Sequence, residues 1–110
     1  MTLPRISVQF GPAAEPLLER VPTRDEFGKP LSDLMMLLPG LRDQSRQHIN
    51  GAIQDVHDVL DGFPDAVVFA EFNVKRNMLW ISVRPVHGIR TAIATAIRER
   101  VPEAKLVPHL

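Results

Sequence analysis

The chain has 110 residues, no cysteine, and thirteen Lys or Arg against thirteen Asp or Glu, so it carries no net charge. A domain of this length buries about two-thirds of the surface its unfolded chain exposes, enough for a core without disulfide or metal staples. The composition excludes disulfides, cysteine-liganded zinc and a thiol nucleophile, and the lack of a basic excess argues against nucleic acid as a partner.

Arg5 to Phe10 alternates Ile6, Val8 and Phe10 with Arg5, Ser7 and Gln9, the period of a half-buried strand, and Gly11-Pro12 ends it. Six of the ten prolines fall in the first forty residues. Residues 11–40 therefore read as an irregular proline-rich arm inserted after the first strand. Within it, Ser32 can cap one short helix, DLMMLL, which Pro39-Gly40 closes.

From Leu41 to Asp61 the positions Ile49, Ala52, Ile53, Val56, Val59 and Leu60 make one stripe of an amphipathic helix, with Gly62 as its stop. DAVVFAEFNV, KRN and MLWISVRP follow as a hairpin. Strict alternation puts Val68, Ala70, Phe72 and Val74 on one face with Leu79, Ile81 and Val83. A second helix, about Ile89 to Val101, turns Ile89, Ala92, Ile93, Ala96 and Ile97 inward and Thr91, Ala94 and Arg98 outward. KLVPHL supplies a last short strand, with Pro108 pointing to an edge position or an early end.

Strand, helix, strand, strand, helix, strand is the order of a ferredoxin-like α+β sandwich. Its four-stranded antiparallel sheet carries both main helices on one face, here in a single domain over residues 1–110. MTLPRISVQF lacks the apolar run of a signal peptide and no stretch reaches bilayer-spanning length. We therefore expect a soluble, cytoplasmic protein without a membrane partner.

Three groups of residues are candidate sites. The sheet face away from the helices would expose Val67, Phe69, Met78 and Trp80 among Glu71, Asn73, Ser82 and Arg84, an apolar patch of the kind that marks an interface. At VRPVHGIR, a helix beginning after His87 and Gly88 has first-turn N–H groups without a side-chain cap, and Arg90 stands close, so a phosphate or carboxylate could complete that end. In QDVHDVLDG, His57 and Asp61 have the four-residue spacing that places two ligands on one helix face, with Asp58 beside them; acids there oppose the helix dipole, and a divalent ion or a basic partner surface would compensate.

Catalytic signals are weak: the serines sit in no Gly-x-Ser-x-Gly elbow, there is no Gly-rich phosphate loop, and there is no tyrosine. The reading that follows is a non-enzymatic subunit without a cofactor. It acts as an assembly, adaptor or regulatory module through its exposed sheet face, most simply as a homodimer or with another protein partner. The alternative is a small-ligand (anion) or divalent-metal sensing module.

Overall fold

The computed structural model describes residues 24 and 27–107, together with the backbone of residues 5–9. Among these residues the chain forms strands β1 (Arg5–Gln9), β2 (Ser32–Leu37), β3 (Val67–Asn73), β4 (Met78–Val83) and β5 (Lys105–Leu106), and helices α1 (Arg46–Asp61) and α2 (Ile89–Arg100). The strands make one sheet in the order β1-β3-β4-β2-β5. Strands β3, β4, β2 and β5 are antiparallel to their neighbours, and β1 is added parallel to β3 at the edge.

The expected short helix at DLMMLL is instead strand β2, and it takes the place in the antiparallel sheet that the sequence pattern assigned to residues 5–10. Leu and Met favour a helix, but the eight residues between Pro30 and Pro39 leave room for only about two helical turns. The same residues laid out as a strand bury Leu34 and Met36 completely and pair along their whole length with β4. Tertiary pairing outweighs local propensity here. Residues 32–37 are thus regular structure, whereas residues 11–23, 25 and 26 of the expected arm lie outside those described.

Helix α1 starts later than its apolar stripe suggests. Ser45 Oγ accepts a hydrogen bond from the His48 N–H at 3.1 Å, capping the helix, while Leu41–Asp43 forms a separate 3-10 turn. The inward stripe is Ile49, Ala52, Val56 and Leu60, as its spacing requires. Helix α2 buries Ile93, Ala94 and Ile97, whereas Ala92 is exposed, so the stripe sits rotated from the expected one at these two alanines.

The β3–β4 hairpin turns through Val74–Asn77, where Asn77 takes a left-handed φ of 53°. Asparagine tolerates that conformation better than most residues. Its side-chain oxygen accepts from the Arg42 N–H at 2.7 Å, and its backbone oxygen accepts from the Leu38 N–H at 2.7 Å, which ties the turn to the segment after β2.

Near its start, β3 is irregular. Val67 pairs with Val83 but Phe69 pairs with Ser82, so Val68 is an extra residue on the β3 side. This bulge corrects the face assignment: Val67, expected on the outer face, turns into the core at 2% exposure, and Val68 leaves the strict alternation. Beyond the bulge, Ala70 and Phe72 join Leu79, Ile81 and Val83 inward, as alternation demands. Leu34 and Met36 of β2, the inward stripes of α1 and α2, and these residues form one core between the sheet and the two helices. Each fully buried large apolar side chain contributes about 1.5–3 kcal/mol.

The strand assignment of residues 32–37 makes a direct prediction. Leu34→Ala and Met36→Ala should each lower the unfolding free energy by about 2–5 kcal/mol. Leu37→Ala, at 40% exposure on the opposite face, should cost a small fraction of that. Urea denaturation of the three variants checks the period of two.

Candidate functional site

Cross-strand register arranges the helix-free face in three rows. Asp33, Ser82 and Phe69 form the row near the start of β2, Met35, Trp80 and Glu71 the middle row, and Leu37, Met78 and Asn73 the far row. Phe69, Glu71, Asn73 and Ser82 are 2–5% exposed, while Met35, Met78 and Trp80 are partly exposed and Leu37 is 40% exposed. Of the four residues expected to form an interface, Met78 and Trp80 are therefore accessible, Phe69 is buried on the expected face, and Val67 belongs to the core. Met35 and Leu37 complete the accessible corner. A strand reading of SDLMML would have found them, because residues 33, 35 and 37 share a face at period two.

At the start of α2, Gly88 is the cap residue with φ 76°, and no side chain caps the helix. Glycine reaches this left-handed conformation without steric cost, which explains its place after His87. His87 and Gly88 are exposed, but Arg90 turns back onto the sheet, its Nε donating to the Asp33 carbonyl oxygen at 2.8 Å. That carbonyl lies on β2 beyond its short pairing with β5, so Arg90 serves the sheet edge. Arg84 Nη1 similarly donates to the Asp65 carbonyl oxygen at 3.0 Å.

The third group is close in space. One ligand-type atom from each of His57, Asp58 and Asp61 lies within 4.8 Å of the others, and all three residues are exposed. His57 Nδ1 stands 3.1 Å from Asp61 Oδ2. Asp58 accepts from Gln54 Nε2 at 2.9 Å and from Arg100 Nη1 at 3.2 Å, and Arg100 also reaches Asp55 at 3.5 Å. The basic compensation for these helix acids thus comes from the last turn of α2. The Gln54 hydrogen bond, then the bond and charge of Arg100 and the nearby His57, hold the Asp58 carboxyl below its ordinary value, against desolvation acting the other way.

Beside this network, α1 and the end of α2 enclose a cleft of about 300 Å³ lined by His48, Gly51, Asp55, Arg100, Pro102 and Glu103 among others. His48 Nε2 lies 3.8 Å from Glu103 Oε1 across it. His48, nine residues before His57, points away from it along α1. Only helix packing brings it to residues 100–103.

No family model, curated protein or solved structure matches the chain.

Because the folded Asp58 carboxyl is held below its unfolded value, its ionic contribution to stability is present above the ordinary carboxylate range. It is lost as pH falls through the folded value. Gln54→Ala should move the Asp58 titration upward in a carboxyl NMR experiment. The ionic part of the stability difference from wild type should be present at neutral pH and vanish in acid.

Proposed function

We propose that the chain is a non-enzymatic cytoplasmic subunit that works by assembling, as a homodimer, and offers an adaptor or regulatory surface. The reading rests on the corner formed by Met35, Leu37, Met78 and Trp80. These are four adjacent large apolar side chains on the sheet face away from the two described helices, and they include the only tryptophan. A contiguous accessible apolar group of this kind marks a contact surface more often than isolated exposed residues do. Among the described residues no helix is long and apolar enough to cross a membrane, so a bilayer is not the favoured owner of the corner.

The fold supports a small assembling module of ferredoxin-like type. Its unit runs from β2 through α1, β3, β4 and α2 to β5, with the spatial order β5-β2-β4-β3. Strand β1 is then an addition to that plan. Fold alone assigns no activity, and the burial pattern of the helix-free face carries the proposal.

A second reading, a divalent-metal sensing module, is supported by the grouping of His57, Asp58 and Asp61 within 4.8 Å. Adding Mg²⁺, Mn²⁺ or Zn²⁺ to the wild-type protein should then raise its melting temperature, and Asp61→Asn should abolish the rise. An unchanged melting temperature with all three ions rejects this reading. The anion version is thinner, since Arg90 already donates to Asp33.

The assembly reading predicts that Trp80→Ala weakens the dimer by about 2 kcal/mol, some thirtyfold in dissociation constant, while leaving the fold intact. Sedimentation equilibrium across a concentration series measures it. A wild-type chain that stays monomeric at high concentration overturns the proposal.

A further inference from the structure

Helix α1 carries a glycine in its interior that its own packing does not require. Gly51 sits in the second turn, where glycine is less favourable than alanine because its backbone loses more freedom on folding. A Cβ placed on Gly51 would have nothing within 4 Å, and the residue has no left-handed φ. Neither close approach of another element nor a special backbone accounts for it. Gly51 does border the cleft of about 300 Å³ between α1 and the end of α2, and its missing side chain keeps that side of the cleft open. The volume is that of a small-molecule site at the lower end of the usual range.

The lining sorts by chemistry. Ala52 and Val101 are buried apolar residues, and Pro102 adjoins them. Around them stand the carboxylates of Asp55 and Glu103, the His48 ring and the Arg100 guanidinium. Both ion pairs of Arg100 use Nη1, to Asp55 at 3.5 Å and to Asp58 at 3.2 Å. One guanidinium thus stands among three carboxylates, Asp55, Asp58 and Glu103, which leaves two negative charges in excess when His48 is neutral. His48 Nε2 and Glu103 Oε1, 3.8 Å apart, are too distant for a direct hydrogen bond and leave room for a donor between them. A neutral imidazole nitrogen and a carboxylate both accept. An anion would meet the charge excess unfavourably. A cation with N–H donors matches it, and an aliphatic chain matches the apolar floor, as when a lysine stem lies on apolar surface with its charged head in a polar setting.

We propose that this cleft binds a small aliphatic ammonium ion, its chain over Ala52, Val101 and Pro102 and its N–H donors on Glu103 and Asp55. Gly51 gives the chain room beside α1. The site is separate from the assembly reading, since it shares no residue with the corner of Met35, Leu37, Met78 and Trp80. It is also separate from the metal reading, whose only member in this network is Asp58. A free diamine and a lysine side chain of a partner present the same alkylammonium group, and the test distinguishes them.

NMR titration of the isotope-labelled protein at low salt, with 1,4-diaminobutane and separately with Nα-acetyl-lysine amide, tests it. The amides of Gly51 and Glu103 should shift saturably with at least one of the two, while sodium acetate at the same ionic strength leaves them in place. Tighter binding of the diamine assigns a free amine, and tighter binding of the lysine amide assigns a partner's side chain. Gly51→Leu should raise the melting temperature, because leucine favours a helix and has open space there, and should abolish the saturable shift at Glu103. Should that chain not fold, Glu103→Gln gives a second measurement: it should weaken binding severalfold. Asp65→Asn, which removes an exposed acid from the turn before β3, should leave binding unchanged. Absence of a saturable shift with both amines overturns the proposal. So does a folded Gly51→Leu chain that binds like wild type, or an Asp65→Asn chain weakened as much as Glu103→Gln.

Discussion

The insertion of β2 between β4 and β5 is the constraint on which the rest of the structure depends. Leu34 and Met36 on one side of β2 fill the core at zero exposure, while Met35 and Leu37 on the other side create the accessible corner. A six-residue segment thus contributes to folding and to the candidate contact surface through the same alternation. Its edge is secured by Arg90, whose bond to the Asp33 carbonyl supplies a donor where β5 is too short to reach. An unpaired backbone acceptor at a partly buried edge would otherwise cost free energy and invite pairing with another chain.

The two faces of the sheet differ in kind. The helix side is wholly apolar and closed by α1 and α2, whereas the other side mixes buried polar residues, Glu71, Asn73 and Ser82, with aromatic and thioether side chains. Burying polar groups is tolerable only when they are hydrogen-bonded. Among the described residues none of the buried side-chain nitrogen or oxygen atoms lacks a partner. The apolar corner differs, because its methionines and tryptophan place few geometric demands on what meets them.

Charge is arranged locally, in keeping with the zero net charge. Arg100 holds Asp55 and Asp58 across the helix pair, and His57 and His48 each face a carboxylate. Such exposed pairs contribute little individually. Those of His48 and Arg100 join α1 to the end of α2 and the residues after it, beside the cleft.

Much of the architecture was legible in the residues. The stripe of α1, the hairpin and the presence of the second helix follow from periodicity, because each is long enough for one period to dominate. DLMMLL has a helical propensity through its Leu and Met, and only pairing with β4 makes residues 32–37 a strand. Val67 was misplaced because a one-residue bulge leaves no mark on an alternating pattern, yet inverts the face of everything before it. The accessible Trp80 could be read from parity alone. That Met35 and Leu37 join it, that Arg90 serves the sheet edge, and that Arg100 answers the acids of α1 depend on contacts between segments up to 57 residues apart, which only the tertiary structure decides.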